Sequence, residues 1–357
     1  MDTPSGFMPV PTLEGGATHP VRVRLPGWWR STLAATLLIP VVVAVGLLYH
    51  TDNFALSPGP ATDVSQLIRV DGDRRESKGA FLITTVSVTL DTINVFEWIR
   101  AAVDPAIEVR RRVELVGRGL SDEQQDEQNQ ADMEQSKYAA TVVAMRAAGL
   151  TVSPIPGVRV VKVFSGPAAS VLKDGDVIVS INGRAVADRD ELGDAVGARP
   201  VGSRIAVGFL RGAERRSATV VTTGAPDDAS RPIIGIRPDE AFRLPVGVTI
   251  DSQGIVGPSG GLVFTLAVAD ALTAGDLTRG HRVAATGTIA LDGTVGLIGG
   301  IEQKVRAAEY VGADVFLVPA EEADQARAVA RSIKIYGVRT FADAIDVLDR
   351  LAPSKAA

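Results

Sequence analysis

Two residues in the C-terminal third of the chain, Ser259 and Lys304, stand in glycine-rich surroundings and are of types that support acyl transfer. A serine hydroxyl is a poor nucleophile unless a base takes its proton. Lysine can be that base only in its neutral form, which requires burial or positive neighbours to lower its pKa. Arginine cannot take this role because it stays protonated. The sequence therefore offers Ser259 as a nucleophile and Lys304 as its general base.

The serine lies in the segment Gly257-Pro-Ser-Gly-Gly261, ahead of a mostly apolar run over 262–272 that contains no proline. This pattern predicts a buried helix that begins at Ser259. The unpaired N–H groups and the positive dipole end of such a helix favour developing negative charge. The backbone N–H groups of Gly257 and Gly260 are therefore candidates for an oxyanion hole.

The lysine follows the apolar turn Leu297-Ile-Gly-Gly-Ile301 and stands at the start of a predicted helix, where the dipole disfavours a cation. Each of these features also has an ordinary interpretation. A lysine on an amphipathic helix is usually a surface residue, Thr286 can be a strand threonine, and the glycines can form a plain tight turn. Residue types alone leave these alternatives open.

The order of the motifs resembles the proteolytic domain of the Lon proteases. That family has Gly-Pro-Ser-Ala-Gly around its nucleophile, then Thr-Gly-Glu, then Ile-Gly-Gly-x-x-x-Lys with its general base. In this chain Gly260 replaces the alanine, Thr288 replaces the glutamate, and Val256 stands where Lon has an aspartate three residues before the serine. The resemblance extends over roughly residues 233–350.

This resemblance implies a Ser–Lys peptidase that forms an acyl-enzyme on Ser259, with Lys304 as base and Thr286 hydrogen-bonded to the lysine. It also implies a mixed α/β domain and possible assembly into a hexameric ring. No Gly-x-x-x-x-Gly-Lys-Ser/Thr occurs in the sequence, so no P-loop is predicted. We expect an ATP-independent endopeptidase that cleaves unfolded or membrane-proximal segments and uses no cofactor or metal.

Two other patterns suggest different chemistry. Ser170-Val-Leu-Lys173 matches the Ser-x-x-Lys pattern of penicillin-binding proteins, but no Ser-Asp-Asn or Lys-Thr-Gly accompanies it. A Ser-His-Asp triad would have to use His281, the only histidine outside the N-terminal region, and its polar loop favours a surface position. With no cysteine, the chain has neither a thiolate nucleophile nor a disulfide framework.

Length and charge bound the number of domains and the kinds of partner. A length of 357 residues suggests two or three domains. The formal net charge of −5 gives no electrostatic footprint for nucleic acid.

The N-terminal region predicts a membrane anchor. Residues 31–49 are free of charge and just long enough to span a bilayer. Arginines precede this segment, and the positive-inside rule then places the tail, 1–30, in the cytoplasm and the rest outside the cell membrane. The alternative is a cleaved signal peptide, but its charged region would be unusually long. The anchor is the preferred interpretation.

The middle of the chain resembles a PDZ domain. Short β-rich runs between 158 and 221 alternate with turns, around the segment Gly175-Asp-Val-Ile-Val-Ser-Ile-Asn-Gly183. PDZ domains bind an extended peptide along a strand edge. We expect the peptide groove between Gly157–Val163 and a helix over Asp190–Val196.

A helix over Ser121–Gly149 precedes this domain, and its acidic, glutamine-rich first half is expected to be a solvated face. In membrane-anchored Lon-like proteins with a PDZ domain, segments like Ser57–Pro60 and Thr84–Val88 recur at the same places. The predicted fold is thus an α/β Lon-type domain and a small β-rich PDZ domain, preceded by one transmembrane helix. The predicted organisation is a tail (1–30), the membrane helix (31–49), a strand and helix region (50–149), the PDZ domain (150–224) and the proteolytic domain (225–357).

A second hypothesis is a catalytically inactive PDZ scaffold at the membrane, which the departures at Val256 and Thr288 would permit. A third is a penicillin-binding-like acyltransferase that uses Ser170. The presence of Ser259, Thr286 and Lys304 together favours the peptidase.

Overall fold

The computed structural model of the chain describes residues 36, 40–41, 43–45, 47–49, 53–72, 77–89, 93–104, 106–111 and 121–354. Residues Met1–Tyr49 and His50–Ala357 form two separate units. The second unit contains every element discussed below.

The predicted tail, 1–30, lies outside the described residues, and so does most of the predicted transmembrane helix, 31–49. Within the described part of the chain, no helix is both long and apolar enough to cross a bilayer. The structure therefore gives the predicted membrane helix no support.

The described strands, in chain order, are β1 (Asn53–Asp63), β2 (Ile68–Val70), β3 (Ala80–Val88), β4 (Glu108–Arg111), β5 (Ser153–Val163), β6 (Val177–Ile181), β7 (Arg184–Ala185), β8 (Arg204–Arg211), β9 (Glu214–Val221), β10 (Thr223–Gly224), β11 (Pro232–Ile233), β12 (Ile236–Arg243), β13 (Val248–Ile250), β14 (Arg282–Ala285), β15 (Thr288–Ile289), β16 (Val295–Gly296), β17 (Val315–Pro319) and β18 (Lys334–Val338).

The described α-helices of the second unit are α1 (Val95–Val103), α2 (Asp122–Ala147), α3 (Arg189–Gly197), α4 (Gly261–Leu272), α5 (Ile301–Tyr310), α6 (Ala323–Val329) and α7 (Phe341–Arg350). Short 3₁₀ turns cover Val64–Leu67, Pro167–Ser170, Pro258–Gly260 and Ala320–Glu322. Helices and strands thus alternate in the C-terminal part, as the predicted mixed α/β fold requires.

One six-stranded sheet, in the order β18-β17-β14-β3-β1-β4, forms the centre of the α/β part. Strands β3, β14, β17 and β18 run parallel, and β1 joins them antiparallel. Apolar side chains of the sheet and of α4 form one buried core, which includes Phe264 and Val268. A second core, which includes Leu82 and Val305, packs α5 onto the sheet. Helices α4 and α5 are therefore held rigidly against the strands between them.

The chain leaves the central sheet at the end of β14. Strand β14 stops at Ala285, and β15 begins only at Thr288. Gly287, with φ of 152°, turns the chain out of the sheet. This break places Thr286 at the carboxyl end of a parallel strand, where α/β folds commonly hold ligands.

The second sheet is the PDZ sheet, with the order β12-β5-β6-β8-β9 and β7 paired to β6. Strand β5 is paired with β12 on one edge and with β6 on the other. The expected peptide groove along Gly157–Val163 is therefore wrong, because neither edge of that strand is open. Strand β12 is one of the two terminal strands of this sheet, the other being β9; it contacts helix α3 and carries Pro238, a residue that sheets accept mainly at edges.

Helix α2 begins as predicted, with Ser121 as its N-cap in a reciprocal capping box with Gln124. The first half of the helix is largely exposed or half-buried, as expected of a solvated face, but it also makes specific contacts. Glu127 accepts hydrogen bonds from the backbone N–H of Ser165, and Asp132 accepts one from Arg237, at 3.1 and 2.8 Å. The helix therefore lies between the PDZ sheet and α4, with contacts to both.

Candidate active site

The loop that carries Ser259 is shaped by its glycines. Gly257 has φ of 89°, which favours glycine, and Pro258–Gly260 form a single 3₁₀ turn. The α-helix begins at Gly261, two residues later than predicted. Ser259 thus lies just ahead of the N-terminus of a buried helix, where the helix dipole favours negative charge.

The structure brings the three predicted side chains together. Lys304 Nζ lies 3.0 Å from Ser259 Oγ and 3.2 Å from Thr286 Oγ1. Thr286 Oγ1 in turn donates to the backbone oxygen of Ser259, at 3.2 Å. The three residues come from a loop, a strand end and a helix that are far apart in sequence, so this contact is made by the tertiary fold.

Backbone hydrogen bonds hold the serine against the strand end. The N–H of Gly287 donates to the oxygen of Ser259, at 2.9 Å, and the N–H of Leu262 donates to the oxygen of Gly287, at 3.0 Å. The N–H of Thr286 donates to Leu317 of β17, at 3.0 Å. The nucleophile loop is therefore tied to the same sheet that positions the threonine.

The lysine is buried, with 3% of its surface exposed. Burial lowers the pKa of Lys304 to about 8, because a charged amine loses its hydration, although nearby Glu322 acts in the opposite direction. The pKa of Glu322 is itself raised by burial. A lysine with this pKa is neutral in a substantial fraction of molecules near pH 8.

A neutral Lys304 suits the observed contacts. Its lone pair can accept the hydroxyl proton of Ser259 while one N–H donates to Thr286 Oγ1. The threonine has then donated its own proton to the oxygen of Ser259, so its hydroxyl acts as an acceptor toward the lysine. This chain of donors fixes the direction in which the lysine lone pair points.

The pH dependence of acylation is expected to follow Lys304. Because only the neutral amine can act as base, the rate should rise about tenfold per pH unit below pH 8 and level off above it. Pre-steady-state acylation of the full-length chain by a chromogenic ester, followed from pH 5.5 to 10, measures this profile. A flat profile would contradict the assignment of the base.

The matched variant for this profile is Glu322→Gln. The carboxylate raises the pKa of Lys304 by attraction, so its removal should move the midpoint to lower pH. The amide oxygen of glutamine can still accept the hydrogen bond that Ile298 N–H donates to Glu322, at 3.1 Å. A midpoint that stays in place or moves upward would show that Glu322 does not act on the lysine.

The remaining predicted site residues differ in their surroundings. Gly257 N–H already donates to the backbone oxygen of Asn129 of α2, at 3.3 Å. Gly260 is buried against the sheet, and its role in an oxyanion hole stays a prediction. Val256 is exposed, and Thr288 pairs with Gly296 in a short hairpin rather than joining the three side chains.

The alternative patterns do not form a site. Ser170 and Lys173 are both exposed, and Ser170 donates its hydroxyl to the backbone of Pro167, at 3.0 Å. His281 precedes β14 whereas Thr286 follows it, so ~16 Å of strand separates them. Its Nε2 lies 2.8 Å from the oxygen of Ala352. In the described parts of the chain, no group of three histidine and carboxylate side chains could hold a metal ion.

Sequence reasoning missed two contributors to the site. The carbonyl of Asn129 comes from a helix whose composition carried no sign of it, because any residue could supply a backbone oxygen. Glu322 lies eighteen positions after Lys304 in a separate turn, and the only signal was an acidic pair, Glu321-Glu322, directly after β17.

Two known protein families match this chain, each over a different stretch. Residues 124–222 match the family model of the PDZ domain, and residues 243–350 match that of the Lon protease (S16) C-terminal proteolytic domain. The chain therefore carries a PDZ domain and a proteolytic domain of the Lon type, as the sequence motifs predicted.

Among characterised relatives, Lon protease 2 of Bacillus subtilis (strain 168) is 31% identical over 116 residues. The match covers 32% of this chain and 20% of that protein, so the chain spans about a fifth of the relative's length. Similar solved structures include the PDZ domain of an SdrC-like protein from Listeria monocytogenes, which is 30% identical. That match covers 24% of this chain and 88% of the solved chain, with a TM-score of 0.22. The PDZ domain of an SdrC-like protein from Listeria innocua, also 30% identical, covers 24% and 96% with a TM-score of 0.23.

Proposed function

We propose that the chain is an ATP-independent serine endopeptidase that acts through a Ser259–Lys304 dyad. The observation that carries the proposal is the 3.0 Å contact between Lys304 Nζ and Ser259 Oγ at a site where burial lowers the lysine pKa. Few surroundings make a lysine a useful base, and a serine hydroxyl beside such a lysine is the arrangement that nucleophilic catalysis needs.

In the first half of the reaction, Ser259 Oγ attacks the carbonyl carbon of the scissile peptide bond while its proton passes to Lys304 Nζ. The carbonyl oxygen becomes an oxyanion, which backbone N–H groups at the start of α4 can stabilise. The C–N bond then breaks, and the protonated lysine gives its proton to the leaving amine. The products are the acyl-enzyme and the first peptide fragment.

In the second half, water attacks the ester carbon and its proton passes to the neutral Lys304. Collapse of the intermediate breaks the bond to Ser259 Oγ, which recovers its proton from the lysine, and the second fragment leaves as a carboxylic acid. Thr286 keeps the amine aligned through both halves because it touches the amine and the serine backbone together. No ATP enters this cycle.

The substrate segment has a candidate edge beside the dyad. Strand β3 pairs with β14 only as far as Ile83, which lies opposite Ala285. Among the described residues, the continuation of β3 over 84–88 has no strand partner on that side, although β1 still pairs with its other edge. An unfolded segment can add to this edge as an extra strand, and an extended peptide is what a protease cleaves most readily.

The PDZ domain is proposed to recruit peptides at the free edge of β12, beside α3. Strand β12 is preceded by the turn at Gly235, with φ of 72°, where backbone N–H groups could hold a terminal carboxylate. Titration with nonapeptides that have an apolar C-terminal residue tests this, in free-acid and amidated forms. Equal affinity for the two forms would argue against carboxylate capture.

Membrane anchoring through residues 31–49, with the main body outside the cytoplasm, is proposed from the apolar sequence and its basic flank alone. Separation of carbonate-washed membranes tests it: the full chain should stay with the membrane, and a chain that begins at Asn53 should not. Assembly into a hexameric ring is a proposal from the resemblance to Lon, and sedimentation velocity measures it.

The decisive test of the peptidase is covalent labelling of the full-length chain by a fluorophosphonate, together with casein cleavage in the absence of ATP. Wild type should be labelled at one site and should cleave casein. Ser259→Ala should lose both the labelling and the cleavage, because it lacks the hydroxyl that would form the acyl-enzyme. Ser170→Ala should keep both, because its hydroxyl lies outside the site.

The competing proposal, an inactive PDZ scaffold, predicts a different outcome. Wild type would then take up no probe at any pH from 6 to 10 but would still bind peptides at the PDZ domain. Labelling that persists in Ser259→Ala but is lost in Ser170→Ala would instead favour the penicillin-binding-like chemistry.

A further inference from the structure

We propose that Ser136 of helix α2 is a positioning residue for the nucleophile Ser259. The inference rests on the proposed peptidase function and deepens it. Ser136 touches neither Ser259 Oγ nor Lys304 in the described contacts, so it acts through the backbone of the nucleophile loop. Helix α2 lies outside the stretch that carries the Lon-type motifs, and its sequence offered no reason to connect it with catalysis.

The contact itself is buried and direct. Ser136 is 3% exposed, and its Oγ donates to the backbone oxygen of Pro258, the residue before the nucleophile, at 2.9 Å. Ser136 Oγ also lies close to Gly261, because a Cβ placed on that glycine would be only 2.7 Å from it. The hydroxyl of Ser136 thus bonds Pro258, which precedes Ser259, and packs against Gly261, which follows it.

A second contact from the same helix lies about two turns earlier. The backbone oxygen of Asn129 accepts the N–H of Gly257, at 3.3 Å. Helix α2 therefore holds Gly257 and Pro258 from one direction, while Gly287 N–H and Thr286 Oγ1 hold the oxygen of Ser259 from the other. The serine lies between two fixed elements, and loss of either should let its Oγ move relative to Lys304.

Helix α2 can serve as a fixed support because it is anchored on its other side. The hydroxyl of Tyr138 donates to the oxygen of Glu240 and accepts from the N–H of Phe242, both at 3.0 Å, in strand β12. Arg237 of the same strand bonds Asp132, at 2.8 Å. These contacts restrain rotation of the helix, so the position of Ser136 is set by the PDZ sheet.

The test compares Ser136→Ala with Thr141→Val in the full-length chain. Thr141 is the matched control: it lies on the same helix, is 6% exposed, and its hydroxyl bonds only the oxygen of Lys137 within the helix, at 2.9 Å. Each variant loses one buried hydroxyl. For Ser136→Ala we expect the acylation rate to fall about tenfold, the worth of one hydrogen bond that aligns reacting groups. The KM for a peptide ester and the pH midpoint should stay unchanged, because Lys304 is untouched.

For Thr141→Val the acylation rate should stay within about twofold of wild type, well inside the effect of a single hydrogen bond. Equal acylation rates in the two variants would overturn the positioning role of Ser136. The positioning role would also be overturned if the acylation rate of Ser136→Ala fell only in proportion to a loss of folded protein, measured by near-UV circular dichroism. Failure of the peptidase proposal is distinguishable, because wild type itself would then take up no fluorophosphonate.

Discussion

Replacement of Lys304 by methionine is expected to lower the acylation rate about a thousandfold while the chain stays folded. General-base catalysis contributes about 10²–10⁴-fold, and methionine keeps the shape of the buried stem without a lone pair of comparable basicity. The rate of fluorophosphonate labelling at pH 8.5 measures the effect. Lys334→Met is the matched control, since that lysine is exposed on β18 and lies outside the site.

The same variant should change stability in a defined pH window. The pKa of Lys304 is about 8 in the folded chain, below its ordinary value of 10.5, so between these values the unfolded chain binds more protons than the folded chain. The free energy of unfolding of the wild type should therefore rise between about pH 8 and pH 10.5 through this lysine. Lys304→Met should lack this rise. Activity in Lys304→Met within tenfold of wild type would rule out this lysine as the base.

Substitution of Gly261 by alanine is expected to destabilise the chain by about 1–3 kcal/mol and to lower acylation about a hundredfold. The added Cβ would lie 2.8 Å from the backbone nitrogen of Ile289, which cannot move aside as a side chain could. Since the helix is also tied to Ser259 through the preceding turn, relief of the clash must shift the nucleophile. Urea denaturation and labelling rate measure the two effects.

The control for this variant is Gly193→Ala in helix α3. A Cβ at Gly193 would meet no atom within 4 Å, so the intrinsic helix preference of alanine should stabilise the chain by about 1 kcal/mol or less. The two substitutions are chemically identical and should have opposite signs. A Gly261→Ala chain as stable and as active as wild type would show that α4 and β15 are not packed as closely as described.

The parts that could be predicted from sequence are those specified by local chemistry. Ser121 as an N-cap and the turn around Ser259 follow from residues within a few positions of one another. The grouping of Ser259, Thr286 and Lys304 was predicted from the order of three motifs, and the structure brings the three side chains within hydrogen-bonding distance.

The parts that escaped prediction depend on partners distant in sequence. Strand β5 lies inside the PDZ sheet whereas β12 is a terminal strand, and no local pattern reveals which strand lies at an edge. The electrostatic effect of Glu322 on the pKa of Lys304 depends on how the turn after β17 lies relative to α5. The alternation of residues specifies which face of an element is buried, but the choice of partner is decided by the packing of the whole chain.

The pairing of β3 with β14 has a consequence for how the molecule is made. These neighbouring strands are separated in the chain by the whole PDZ domain. During synthesis β3 is available long before β14, so its apolar stretch at Phe81–Ile83 waits with one edge unpaired. The strands of the PDZ sheet all lie between β3 and β14 in the chain, so this domain can fold in this interval, which shortens the distance that the chain must bridge to close the central sheet. Ser259, Thr286 and Lys304 can come together only after that late closure, so the PDZ domain of a nascent chain can fold before these three side chains meet.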